Sequence, residues 1–137
     1  MENKNIVKKV LDYIEDNLEG QLSLDEIAKE SGYSKFHLNR VFSEHVGCTI
    51  YKYIQMRRLT VAAEKLVNTK KPVVEIAYEA NYNSQQSFTL AFRQLYGCPP
   101  HEYRAISVYI PKIKRLRMES NFIMLYKSTM KCEVMAA

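Results

Sequence analysis

Cysteine is scarce and odd in number: Cys48, Cys98 and Cys132 are the only three. They make no disulfide framework and fit the reduced thiols of a cytoplasmic chain. Glycine and proline are sparse too, four of each in 137 residues, which argues against a turn-rich sheet protein and for an all-α body. No apolar run approaches the roughly 20 residues of a membrane span, and the opening MENKNIVKKV is too polar for a secretory leader. A cytoplasmic location is therefore expected. There is no glycine-rich phosphate loop, no Ser-His-Asp arrangement and no carboxylate pair in a plausible pocket, so neither catalysis nor a cofactor is expected. His45 with Cys48 and Cys98 with His101 have the look of ligand pairs. Tetrahedral zinc would need both pairs to converge across an intervening helix, and no metal is expected.

What the chain does have is 47% hydrophobic residues, enough for a globular core, and a net charge of +5. The charge is uneven. Residues 1–105 carry 14 Lys and Arg against 13 Asp and Glu, whereas residues 106–137 carry 6 against 2. A net +1 over the body does not by itself make a nucleic-acid binder; cations gathered on one face would.

The most informative feature is a duplication. LDEIAKESGYSKFHLNRVFSEHVG recurs as VVEIAYEANYNSQQSFTLAFRQLYG, with Glu26, Ile27, Ala28, Glu30 and Tyr33 matching Glu75, Ile76, Ala77, Glu79 and Tyr82 at an offset of 49. Asn83 then adds one residue, and Ser34, Leu38, Phe42, Gly47 and Cys48 match Ser84, Phe88, Phe92, Gly97 and Cys98 at an offset of 50. Each copy reads as a short helix, a tight turn and a second helix, a unit that in a basic chain points to DNA.

Periodicity predicts seven helices. Helix 1 covers residues 5–18, with Gly20 as a left-handed cap. Helix 2 begins at Ser23, where Glu26 three residues on completes a capping box, and ends at Gly32, whose counterpart Asn81 is the non-glycine residue best suited to positive φ. Helix 3 runs from about residue 34 to 46, helix 4 from 50 to 67, helix 5 from 73 to 80, helix 6 from 84 to 96, and a short helix 7 follows Pro99 and Pro100. Helix 4 spans roughly 27 Å at 1.5 Å per residue, near the 34 Å turn of B-DNA, so a single chain can address one side of a duplex with both units. The organisation expected is a first unit over about 5–48, a linker helix over about 50–67, a second unit over about 72–107, and a tail over 108–137.

On the outer stripe of helix 3 lie Phe36, Asn39, Arg40 and Ser43; on that of helix 6 lie Gln85, Gln86, Thr89, Leu90 and Arg93. Asn and Gln can bond adenine, Arg can bond guanine O6 and N7, and an aromatic can meet thymine methyl groups. Lys35, Arg93 and Arg104, near helix ends, suit phosphate better than bases. Arg57 and Arg58 suit either phosphate or pairing with Glu26, Glu30 or Glu64. Because the two stripes differ, the expected site is asymmetric.

The strings LSLDEIAKESGYSKFHLNRVF, YIQMRRLTVAAEKL, VVEIAYEANYNSQQSFTLAFRQLYG and PPHEYR stand in an order and spacing that resembles the DNA-binding domain of AraC/XylS family transcription regulators, most closely the MarA, SoxS and Rob group. The resemblance covers residues 5–107. It implies two helix-turn-helix units joined by a long helix, monomeric binding to double-stranded DNA at a degenerate asymmetric site, and activation through RNA polymerase. On matching positions it implies base contacts by Phe36, Asn39, Arg40, Gln85, Gln86 and Ser87. Ser34, Lys35, Thr89, Arg93 and Arg104 are the phosphate contacts expected beside them. Relatives usually carry arginine where this chain has Leu90. Either Leu90 meets a thymine methyl or the second unit contributes mostly nonspecific affinity.

In the tail, KIKRLRMES and YKSTMKCEV alternate around the apolar NFIMLY, a pattern that fits a strand pair. A basic arm on phosphate, a segment that promotes dimers and a strand packed on the body are all open. So is a second reading of the whole chain, a helix-turn-helix protein-interaction module without specific DNA binding.

Overall fold

A computed structural model describes residues 2–112, so the strand pair expected beyond Lys112 lies outside the described residues. Within them are seven helices and no strand: α1 (Glu2–Asp16), α2 (Leu24–Ser31), α3 (Lys35–Val46), α4 (Ile50–Asn68), α5 (Val73–Glu79), α6 (Gln85–Tyr96) and α7 (Pro100–Ile106). The all-α expectation and the order of elements hold. The described residues divide into two compact units at Ile54/Gln55, inside α4, so that helix contributes residues to both.

In the first unit α1, α2 and α3 pack against one another. α1 presents Ile6, Val7, Val10, Leu11 and Ile14, all buried and spaced to lie on one face, while α3 buries Leu38, Val41, Phe42 and Val46. Tyr53 from the start of α4 is fully buried and meets Phe42 edge-on, with ring centroids 5.7 Å apart.

Two local expectations fail there, for identifiable reasons. Gly20 does not take a positive φ; Gly32, Gly47 and Gly97 do. α1 stops at Asp16, and Asn17 closes the turn by donating its side-chain amide to the Tyr13 carbonyl at 2.9 Å. The capping box at Ser23 does not form either. Ser23 is the extended N-cap residue but its hydroxyl makes no cap bond, and Glu26 instead accepts from the Tyr13 hydroxyl at 3.1 Å. A tertiary partner on α1 has taken the carboxylate that the local motif would have used.

In the second unit α5 and α7 pack on α6. The core joins Leu59, Ala62, Ala63 and Leu66 of α4 to Ile76, Ala77, Phe88, Phe92 and Tyr103, with Tyr96 and Leu95 at its margin. Aromatic rings dominate it: Phe92 stacks on Tyr96 at 4.6 Å and meets Tyr103 edge-on at 5.4 Å. Burial pushes the Tyr96 phenol well above its ordinary range.

Glu79, the counterpart of Glu30, ties α5 to the end of α4. Its carboxylate accepts from Lys65 at 3.0 Å and Lys71 at 2.8 Å. The bonds from Lys71 and then Lys65 hold its carboxyl below the usual glutamate range. A depressed carboxyl stabilises the fold above its unfolded pKa, and that contribution disappears as pH falls through the folded value. The second unit will therefore lose this contribution on acidification below the ordinary glutamate range. Thermal melts across pH will show the loss in the wild type and its absence in Glu79→Gln.

Candidate nucleic-acid interface

Helices α3 and α6 are built by the same local rules. Each begins at an extended serine whose hydroxyl accepts from the backbone N–H three residues on: Ser34 from His37 and Ser84 from Ser87, both at 3.1 Å. Each ends at a left-handed glycine, Gly47 with φ 99° and Gly97 with φ 82°. The turns before them also match, since Gly32 and Asn81 carry φ of 76° and 65°. The duplicated turn keeps its backbone while changing its residue, as expected.

On α3, Lys35, Phe36 and Arg40 are exposed. Phe36 leaves 81% of its surface open, an aromatic with no cover on an otherwise polar face. Lys35 pairs with Asp25 at 3.0 Å across the turn, both groups well exposed, a contact worth little and readily exchanged for a phosphate. His37, which is absent from the residues expected to read DNA, stacks on Tyr33 at 4.8 Å, and its Nδ1 lies 3.2 Å from Arg40 Nη2. His37 and Arg40 sit three apart on α3, a spacing that brings helical side chains together, so periodicity contained that part of the signal; Tyr33 stands in the turn before the helix.

Asn39 has a second task. Its Oδ1 accepts from the Ile50 N–H at 3.0 Å, while the Thr49 hydroxyl accepts from Lys52 N–H at 3.1 Å. The first turn of α4 is thus satisfied partly by α3. A backbone N–H needs an acceptor, which fixes the amide orientation and leaves the Asn39 NH2 group as its remaining donor.

On α6, Gln85, Gln86, Thr89, Leu90 and Arg93 line a shallow surface depression of about 550 Å³. Leu90 is 62% exposed at the position where the first unit has Arg40. Ser87 is exposed but turned back on its own cap: its hydroxyl donates to the Ser84 carbonyl at 3.0 Å and lies 3.1 Å from the Ser84 hydroxyl. It reaches a base only by leaving those partners.

Arg104 departs most from expectation. Its guanidinium, half-buried, donates to the carbonyls of Leu66 at 2.9 Å and Lys71 at 2.6 Å, with Thr69 O at 3.5 Å. These bonds satisfy the last carbonyls of α4 and the loop that follows, where a cation also suits the helix dipole. Arg57 is buried, which removes it from the phosphate candidates. Cys48 and Cys98 are half-buried. Among the described residues no three His, Cys, Asp or Glu side chains gather as a metal site, and no helix is long and apolar enough to cross a membrane.

A helix-turn-helix domain family matches residues 27–106, both copies of the duplication together. The multiple antibiotic resistance protein MarA of Salmonella typhimurium is 39% identical over 103 residues, covering 75% of this chain and 81% of that protein. The chain belongs to the AraC/XylS family. As an AraC/XylS protein it is a DNA-binding transcription regulator, like its relatives. The HTH-type transcriptional activator AarP of Providencia stuartii is 44% identical over 100 residues, 73% of this chain and 74% of AarP. Among solved structures, an AraC-type regulator from Chromobacterium violaceum superposes with a TM-score of 0.70 at 30% identity, covering 76% of this chain and 93% of that one. AraC/XylS membership accounts for the paired units, the capped second helices and their exposed polar faces.

Proposed function

We propose that this regulator binds double-stranded DNA as a monomer in the cytoplasm, sets α3 and α6 into major-groove segments of one asymmetric site, and activates transcription by engaging RNA polymerase. The observation that carries the DNA reading is the pair of equivalent helices, identically capped at Ser34 and Ser84 and bearing different exposed polar faces. Similarity to the transcriptional activator AarP supports activation.

In the first unit Arg40 is suited to guanine O6 and N7 and Phe36 to thymine methyls or sugar. Asn39, its oxygen held by Ile50, reads through its NH2 group, which favours a base acceptor over the bidentate grip on adenine. In the second unit Gln85 and Gln86 are suited to use both amide atoms on a base, and Leu90 supplies apolar contact for a thymine methyl. Ser34, Lys35, Thr89 and Arg93 lie where phosphate contacts set register without reading sequence.

A gel shift on random duplex at low salt tests the core of this reading, with retention expected and affinity falling steeply as salt rises. Selection from a random pool should then return a non-palindromic site. Failure to retain any duplex at low salt rejects the proposal.

A further inference from the structure

The two copies differ by more than one side chain at the reading position. Where α3 has Arg40, α6 has Leu90; where α3 has His37, α6 has Ser87. In the first copy the two residues touch, Arg40 Nη2 standing 3.2 Å from His37 Nδ1. In the second, the hydroxyl of Ser87 has turned to the Ser84 carbonyl. The imidazole acceptor is present where the arginine is, and where the arginine is absent a short hydroxyl engaged with its own cap stands in its place.

We propose that His37 is a positioning residue for sequence readout, a buttress that holds the Arg40 guanidinium in its base-reading orientation. This rests on the reading of Arg40 as a base contact. An arginine on an exposed helix face has four rotatable bonds, and its guanidinium fork reads guanine only in one plane and one direction. A hydrogen bond from Nη2 to a fixed acceptor removes most of the competing orientations before DNA arrives and leaves the other N–H groups for the base.

The acceptor itself is fixed. The His37 ring lies against Tyr33 at 4.8 Å with planes 20° apart, and its backbone N–H is held by the Ser34 cap at 3.1 Å. An Nδ1 that accepts from Arg40 carries no hydrogen, so the ring's hydrogen sits on Nε2. His37 thus acts through Arg40, and its effect belongs to one base pair of the site, not to overall affinity.

The test uses the full chain and duplexes that vary only at the base pair whose preference is lost in Arg40→Ala. His37→Phe keeps an aromatic ring for Tyr33 and removes the acceptor. It is expected to lower discrimination at that base pair roughly three- to tenfold, to leave discrimination elsewhere unchanged, and to have no further effect in the Arg40→Ala background. His37→Gln, whose carbonyl can accept in place of Nδ1, should recover part of the loss.

The converse transplant does not depend on those variants folding well. Leu90→Arg alone should add a weak preference in the second unit, and Ser87→His with Leu90→Arg a stronger one. Wild-type discrimination in His37→Phe, an undiminished loss when Arg40 is already alanine, or no gain of the paired transplant over Leu90→Arg each overturns the proposal. If Arg40→Ala relaxes no base pair at all, the reading of Arg40 itself has failed, a result distinct from failure of the buttress.

Discussion

Phe92→Ala will destabilise the second unit by about 3–5 kcal/mol, the largest stability effect expected of a single substitution in this protein. The ring is fully buried and touches three others: Tyr96 stacked at 4.6 Å, Tyr103 edge-on at 5.4 Å and Phe88 at 5.7 Å. Truncation removes the transfer free energy of the ring and leaves a void walled by aromatic side chains, which are rigid plates that cannot collapse around it. Typical domains hold only about 5–15 kcal/mol in all, so much of this unit's stability depends on one residue. Denaturant unfolding followed by tyrosine near-ultraviolet circular dichroism, with backbone hydrogen exchange to assign the loss to residues 55–112, will measure it. A midpoint shift equivalent to less than about 1 kcal/mol would show that the aromatic cluster repacks into the vacated space and that its rings are not the rigid wall their geometry implies.

Arg40→Ala is expected to weaken binding to the best site by about 1–3 kcal/mol and to flatten the preference at a single base pair. Both parts of the result are needed. If Arg40 served phosphate instead, alanine would weaken binding to all sequences alike and reduce the salt slope by about one. A fold defect would weaken binding and also lower the melting temperature. Arg40 is exposed, and its guanidinium meets His37 on the same helix, so alanine should leave stability within about 0.5 kcal/mol. Titrations against the selected site and its single-base variants separate the three cases. Unchanged binding to the best site would rule out α3 as a reading helix in the proposed docking.

The fold was legible because its signals are local. The apolar spacing of α1, the capping serines at 34 and 84 and the left-handed glycines at 47 and 97 each act within a turn or two, and the helices lie within a few residues of the bounds expected from periodicity. The roles of single polar residues were less legible. Arg104 reads as a surface cation near a helix end, but its carbonyl partners at Leu66 and Lys71 lie 38 and 33 residues back in the chain. Glu26 matched a capping motif and was taken by Tyr13, 13 residues away. A polar side chain long enough to leave its own turn takes whichever partner tertiary packing brings, and no local pattern announces it. His37 is the opposite case: both its side-chain partners lie within four residues of it in the chain, and it escapes notice only because it stands beside the outward stripe of α3 rather than on it.

The bond from Asn39 to Ile50 bears on how such a protein can change over generations. α7 begins at Pro100, the position equivalent to Ile50, and proline has no N–H to satisfy. Thr89, the counterpart of Asn39, is thereby released from the duty of finishing the next helix. Position 39 is not: most replacements there would orphan the Ile50 backbone donor as well as change the proposed DNA contact, so the side chains tolerated are those that still accept a hydrogen bond. Drift toward new promoters should thus proceed more freely through positions 36, 40 and 89 than through 39, and one proline a few turns away decides which half of the duplicated reader is the more evolvable.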